Sequence, residues 1–296
     1  MHRHGDPLGW ALGLTLSFAF IEALGGWWAG SLALISDAGH MVTDATALGL
    51  AALAAWIARR PPSPRHSYGL GRAEVLAALL NALFMLALVA GITVAAIRRL
   101  QHPQPVMGEA VMAIAALGLA INLAVAWTLS RGEQTLNVRA ALLHVLADLW
   151  GSVAALLSGA IIYFTGWTPI DPLLSFLICL LILYSSLKLL REAVHVLMEG
   201  VPLHIDLAQV GRAMAGVEGV LSVHDLHIWS LSSGKVALSA HVVLDDLSRW
   251  PRLLPRLQNL LRERFGIDHV TLQPEPLRPS LRESAETMAI HFENPG

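Results

Sequence analysis

The sequence has little charge and almost no cysteine. Only 14% of its 296 residues are Asp, Glu, Lys or Arg, against about 25% in an ordinary soluble domain. Hydrophobic residues make up 55%, a composition that argues against a chain soluble throughout. The single cysteine, Cys179, excludes an internal disulfide and a cysteine cluster for a soft metal such as Cu(I). Twenty basic and 22 acidic residues nearly cancel, so no basic field favours a nucleic-acid partner.

The apolar residues concentrate before about residue 190, in runs long enough to cross a membrane as helices. Six such runs occupy residues 8–29, 32–58, 73–97, 107–129, 140–164 and 170–190. The predicted organisation is a short N-terminal tail (1–7), a six-helix transmembrane domain (8–200), a small cytoplasmic α+β domain (201–276) and a tail without regular structure (277–296).

The first apolar run is too long for a typical signal peptide and no small-residue cleavage site follows it.

Basic residues in the short loops predict the orientation of the chain. Seven Arg residues fall on the side of the two termini, against Arg98 and Arg99 on the other side. Both termini are therefore predicted to be cytoplasmic.

Ionisable residues interrupt two of the apolar runs in the same way. The second run contains His40 and Asp44, and the fifth contains His144 and Asp148. Residues four apart share one face of a helix, so two such helices would supply two imidazoles and two carboxylates, a ligand set that suits Zn²⁺. For one pair alone, a His–Asp contact between helices is an equal alternative. Its repetition on a second span favours a metal site.

Other polar residues in the spans have several possible roles. Asp37 precedes His40 by three residues, and it either lines the approach to the ion or serves in capping or polar packing. We expect Glu22, Asn81 and Asn122 to form hydrogen bonds between helices rather than to bind metal.

Four stretches of sequence resemble the cation diffusion facilitator family. They are SLALISDAGHMVTD in the second run, HSYGLGRAEVLAALLNAL after it, HVLADLWGSVAALL in the fifth, and VHDLHIWSLSSGKVALSAHVV beyond the last. The resemblance is greatest to the bacterial zinc/cobalt/cadmium-resistance type and the related animal zinc transporters. It implies six spans in the bacterial inner (plasma) membrane, a cytoplasmic C-terminal domain, a homodimer, and no enzymatic activity.

The family resemblance also implies a function, namely export of a divalent metal ion in exchange for protons. It places the transport site on His40, Asp44, His144 and Asp148, a set typical of zinc-selective members, with Cd²⁺ and Co²⁺ as possible secondary substrates. Metal binds neutral imidazole and ionised carboxylate, so protonation would expel it, which predicts Zn²⁺/H⁺ antiport. A membrane-bound metal sensor that regulates a partner without transport is the alternative.

The region after Val201 reads as helix, strand, strand, helix, strand, an αββαβ order typical of a small ferredoxin-like domain. The family binds regulatory zinc in this domain, and the resemblance places that site on His224, His241 and Glu275. Gln273 stands where some relatives have a liganding His, which implies a sparser site. His224 and His227 are three apart on a predicted strand, so we expect them on opposite faces.

Three further histidines and one charged pair match family positions. His2 and His4 either complete a neighbour's cytoplasmic site or lie in a solvated tail. His66 matches a loop metal position whose second His is Leu70 here, which implies a weak or absent site.

The charged pair is Arg72 and Glu199. Both match family contacts near the membrane surface, with simple snorkelling to the interface as the alternative.

Overall fold

The computed structural model describes residues 7–131, 136–232, 234–277 and 292–293, and for some helical residues, His144 among them, it describes the backbone alone. The chain divides into two compact units. One comprises Met1–Ala52 and Ala77–Leu190, and the other comprises Leu53–Leu76 and Arg191–Gly296.

Six long apolar helices form the first part of the chain, as predicted. They are α1 (Pro7–Ala29), α2 (Leu32–Ala58), α3 (Ala73–Gln101), α4 (Gly108–Arg131), α5 (Leu136–Thr165) and α6 (Ile170–Leu197). At 1.5 Å per residue even the shortest extends about 35 Å, enough to cross a hydrocarbon core of about 30 Å. Among the described residues, five helices combine the length and hydropathy of a membrane span: α2, α3, α4, the Asp148–Thr165 part of α5, and α6.

The helical unit exposes large apolar side chains and buries several polar ones beside its apolar core. Large side chains such as Phe20, Trp127 and Phe164 are exposed. Ser, Asn, Asp and Glu side chains are buried among the helices. An exposed apolar surface of this extent suits lipid, whereas buried polar groups must find partners on neighbouring helices. One such pair confirms a prediction, because Asn122 of α4 donates to Ser152 of α5 at 3.2 Å.

A buried carboxylate ties the start of α2 to α6. Asp171, in the first turn of α6, is fully buried. It accepts hydrogen bonds from the Ser31 hydroxyl at 2.5 Å, the Leu32 N–H at 2.6 Å and the Ala33 N–H at 3.3 Å. These N–H groups have no partner within their own helix, and a negative charge at a helix N-terminus is favourable. Arg99 of α3 balances the charge, with its Nη1 3.3 Å from Asp171.

The C-terminal part has the predicted α+β fold. Its elements are α7 (Leu207–Ala215), β1 (Val220–Ser232), β2 (Lys235–Leu244), a 3₁₀ turn (Leu247–Arg249), α8 (Trp250–Phe265) and β3 (His269–Pro276). β1 pairs antiparallel with β2, and β2 pairs in parallel with β3. Both helices pack on one face of the sheet, and alternate β2 residues from Val236 to Leu244 point into this core. The other sheet face carries His241 and Glu275.

A short strand extends the sheet beyond the predicted domain. β4 (Phe292–Glu293) pairs antiparallel with β1, giving the strand order β3-β2-β1-β4. The predicted tail without regular structure therefore differs at these two residues, which find unpaired backbone groups at the β1 edge. Of the rest of the predicted tail, the structure describes only Leu277, whose N–H donates to the Leu244 carbonyl at 3.3 Å.

The Asp171 contacts predict a large effect of its removal. Asp171→Ala uncaps α2 and leaves the partly buried Arg99 without its counter-charge, a loss of about 3–5 kcal/mol when one partner of a buried ion pair is deleted. We expect a clearly lower thermal unfolding midpoint for the detergent-purified protein. Ser158→Ala is the control, because the Ser158 hydroxyl forms a long hydrogen bond of 3.4 Å with the same carboxylate, and its loss should matter little. Equal midpoints for the two variants would contradict the role given to Asp171.

Candidate functional site

Two ligands of the predicted membrane site lie one helical turn apart on α2. The Nε2 atom of His40 is 3.4 Å from the Oδ2 atom of Asp44. Both side chains are partly buried, with 21% and 16% of their surface exposed. The spacing of four residues brings them to one face because the α-helix repeats every 3.6 residues. This contact holds an imidazole nitrogen and a carboxylate oxygen side by side.

A third predicted ligand, Asp148, comes from α5. Ligand atoms of His40, Asp44 and Asp148 all lie within 4.8 Å of one another, and Asp148 is almost fully buried. His144 lies one turn before Asp148 on α5, but its side chain is outside the described residues. The described part of the site thus consists of one imidazole and two carboxylates from two helices. These are nitrogen and oxygen donors of the kind that Zn²⁺ binds, and their two negative charges match those of a divalent cation.

Two more carboxyl groups lie in the interior of the same unit. Asp37 of α2 and Glu22 of α1 are both buried and interact with each other across the two helices. Asp37 packs against α5 at Gly151, where a Cβ atom would lie 2.7 Å from its Cγ. The unit that holds the three candidate ligands therefore buries two further carboxyl groups.

A second cluster of metal-binding side chains lies on the open face of the C-terminal sheet. Ligand atoms of His224, His241 and Glu275 fall within 4.8 Å of one another. The Oε1 atom of Glu275 is 2.9 Å from Nδ1 of His241, and its Oε2 atom is 3.2 Å from Nε2 of His224. The strand register explains this meeting, because His224 on β1 and His241 on β2 are paired residues. Gln273 pairs with His241 on the other side and donates to Glu275 at 3.3 Å.

The expectation that His224 and His227 point to opposite faces is wrong, because β1 contains a bulge between them. His224 pairs with His241, whereas His227 pairs with Ser239, so β1 has one more residue than β2 over this interval. The extra residue shifts the alternation of inward and outward side chains. Val223 before the bulge and Leu226 after it are both buried, and both histidines therefore face away from the core.

Sequence reasoning missed Asp225, which the bulge places beside these histidines. Its Oδ1 atom is 3.1 Å from Nε2 of His227, and its Oδ2 atom is 3.8 Å from Nε2 of His241. A bulge depends on how two strands pair, and no residue pattern in β1 predicted it. The one available signal is an acidic residue among strand residues, where Asp is disfavoured.

The other predicted positions have varied outcomes. His66 is exposed and exchanges two backbone hydrogen bonds with Ser63, and within the described residues it joins no group of three ligands. Arg72 forms an ion pair with Glu199 at 3.0 Å, so the two predicted charged positions contact each other. His2 and His4 lie outside the described residues.

The chain is similar throughout to proteins that export cations. The model of the cation efflux transmembrane domain matches residues 10–198, and that of the cation efflux protein cytoplasmic domain matches residues 202–277. The zinc transporter ZitB of Escherichia coli (strain K12) is 43% identical over 269 residues, which cover 90% of this chain and 86% of ZitB.

Two further relatives have broader names. The cadmium, cobalt and zinc/H(+)-K(+) antiporter of Bacillus subtilis (strain 168) is 40% identical over 88% of this chain and 86% of its own length. The metal cation efflux system protein CzcD of Cupriavidus metallidurans is 42% identical over 98% of this chain and 93% of its own length. A solved structure of the metal-bound C-terminal domain of the CzcD transporter shares 46% identity over 24% of this chain and 99% of that one, with a TM-score of 0.23.

The close approach of Asp37 to Gly151 predicts that this glycine is required. In Gly151→Ala the new methyl group overlaps the Asp37 carboxyl group and forces α2 and α5 apart, and overpacking of this kind costs about 1–3 kcal/mol. We expect a lower thermal unfolding midpoint in detergent. Gly91→Ala on α3 is the matched control, because a Cβ atom added at that position has no neighbour within 4 Å. A midpoint equal to that of the control would show that the site tolerates the extra atom.

Proposed function

Because the chain belongs to the cation efflux family, we propose that it exports Zn²⁺ from the cytoplasm in exchange for protons. The observation that carries the proposal is the cluster of His40, Asp44 and Asp148 inside a unit of apolar helices. Ionisable groups at membrane depth cost about 2.5–3.5 kcal/mol each on insertion scales. Three that converge on one point suggest a site for a cation. Transporters of this family are not enzymes. The names of this chain's relatives indicate transport rather than sensing.

The ligand set supports zinc as the main substrate. With His144 added from α5, the site would offer two imidazoles and two carboxylates, the number and kind of donors that tetrahedral Zn²⁺ accepts. We propose cadmium and cobalt as secondary substrates, because both metals appear in the name of the Bacillus subtilis relative. First-row divalent metals compete for the same nitrogen and oxygen donors, and geometry and availability decide between them.

Proton exchange follows from the chemistry of these ligands. A metal ion binds the neutral imidazole and the ionised carboxylate, so its arrival displaces protons and their return displaces the metal. Unperturbed histidine titrates near pH 6.5, close to physiological pH. If the site opens alternately to the two sides, a more acidic outer side would favour metal release there. Protonated ligands would then return to face the cytoplasm.

The remaining features fit a regulated transporter of the bacterial inner membrane. We propose that His224, His241 and Glu275 hold a regulatory Zn²⁺, since two imidazoles and a carboxylate already converge there. The family to which this domain belongs supports a homodimer. The excess of arginine in loops on the side of the termini supports a cytoplasmic location for both ends.

Removal of one membrane ligand tests the transport site. Asp44→Asn keeps the size of the side chain but removes a charged donor, so we expect zinc uptake into inside-out proteoliposomes to fall more than about 100-fold, beyond the usual effect of changes outside the ligand shell. Counter-movement of protons, followed with a trapped pH indicator, should be lost with it. The exposed Asp268→Asn serves as the control. Zinc uptake at the wild-type rate in Asp44→Asn would refute the site, and uptake without proton movement in the wild type would refute antiport.

The cytoplasmic cluster has a separate test. His241→Ala removes one of the two imidazoles of the cluster, so the purified protein should lose one class of bound Zn²⁺ per chain while retaining the class removed by Asp44→Asn. Equilibrium dialysis with metal analysis measures both. His204→Ala is the matched control, because that histidine is exposed and belongs to no ligand group among the described residues. An unchanged zinc content in His241→Ala would contradict the proposed regulatory site.

A further inference from the structure

Asp225 has a backbone conformation that needs an explanation. Its φ angle is +53°, in the left-handed region that non-glycine residues seldom adopt. Aspartate and asparagine tolerate this region better than other side chains, but the conformation still carries strain. Such strain persists where the surrounding structure imposes it, and it clusters at functional sites. Asp225 lies in the β1 bulge, next to a proposed metal ligand.

The bulge determines where the Asp225 carboxylate lies. In a regular strand, the residue after His224 would point into the core, where an ionised carboxylate is costly. Here Leu226 takes the core position and is 4% exposed, whereas the side chain of Asp225 is 49% exposed on the side of the two histidines. The extra residue in β1 thus keeps Asp225 on the face that carries the metal cluster.

The two nitrogens of His241 face different carboxylates. Nδ1 is 2.9 Å from Oε1 of Glu275, inside the cluster, whereas Nε2 is 3.8 Å from Oδ2 of Asp225, outside it. A histidine that binds metal through one ring nitrogen commonly directs the N–H of the other toward a carboxylate. That partner selects the tautomer and holds the ring in the orientation that metal binding requires. Asp225 lies on the side of this partner, with its Oδ2 atom at an ion-pair distance from Nε2 that is longer than a hydrogen bond.

We propose that Asp225 is a positioning residue, whose carboxylate on the Nε2 side of His241 favours the tautomer and the ring orientation that direct Nδ1 at the metal. This inference rests on the proposed regulatory zinc site and names a residue outside its ligand set. Asp225 also contacts His227, with its Oδ1 atom 3.1 Å from Nε2. His227 is 65% exposed and joins no group of three ligands among the described residues, so this contact adds no ligand to the proposed site.

The test compares Zn²⁺ affinities of the full chain in detergent, measured by competition with a chelating indicator. All proteins carry Asp44→Asn, so that the membrane site does not compete for metal. Asp225→Asn keeps the side-chain size and the tolerance of a positive φ, and Asp225→Gly keeps the backbone conformation without any side chain. We expect both to weaken zinc binding about 10–100-fold, the usual effect of losing such an outer carboxylate. His227→Ala is the control and should change affinity less than twofold.

A double-mutant cycle shows whether Asp225 acts through His241. With His241→Ala already present, adding Asp225→Asn should weaken zinc binding less than twofold further, because the ring that it orients is gone. Wild-type zinc affinity in both Asp225 variants would overturn the inference. So would an Asp225→Asn effect on zinc affinity that is equally large with and without His241→Ala. An equal loss in His227→Ala would overturn it too. If His241→Ala alone leaves affinity unchanged, the regulatory site itself fails, which separates the two proposals.

Discussion

The high free energy of an ionised side chain away from water is the constraint on which the helical unit depends. Carboxyl groups in α1, α2, α5 and α6 are buried among helices whose outer surfaces are apolar. Each must be compensated, and the structure does so in different ways. Asp171 is compensated within the protein, by the N-terminus of α2 and by Arg99. Asp148 instead lies in a cluster with His40 and Asp44, where a divalent cation would supply the compensating charge. One physical rule thus produces both a structural anchor and a candidate binding site.

The anchor and the site share α2. Its first turn is held by Asp171, and its candidate ligands His40 and Asp44 follow about two and three turns later on the same helix. A helix fixed at one end transmits that position along its length, because its backbone hydrogen bonds allow little change in rise or rotation. On the facing side, Gly151 lets α5 approach Asp37 without a side chain between them. The convergence of the candidate ligands from α2 and α5 therefore depends on contacts made by other residues.

The two candidate sites were not equally visible in the sequence. In the membrane unit, the helical repeat predicts that residues four apart share a face, and the scarcity of charge leaves few residues to consider. The convergence of His40, Asp44 and Asp148 could therefore be predicted from the sequence alone. The role of Asp171 could not, since its partners are backbone N–H groups at the start of another helix, more than 130 residues away. Fold class and the approximate positions of the helices were predictable because long apolar runs have few alternative structures. The helix ends were less so, since α6 continues to Leu197, past the predicted end at residue 190.

In the C-terminal sheet, by contrast, the position of every ligand depends on strand register. A shift of one residue sends each side chain to the other face. The family resemblance predicted His224, His241 and Glu275, but simple alternation along β1 misplaced His227 and gave no role to Asp225. The bulge explains both failures. One inserted residue keeps His224 and His227 on a common face and turns Asp225 toward His241. A bulge results from pairing between strands rather than from residues within one strand, so only the three-dimensional structure reveals it. The irregularity in β1 is accordingly better explained as a device for placing a carboxylate than as a defect in the sheet.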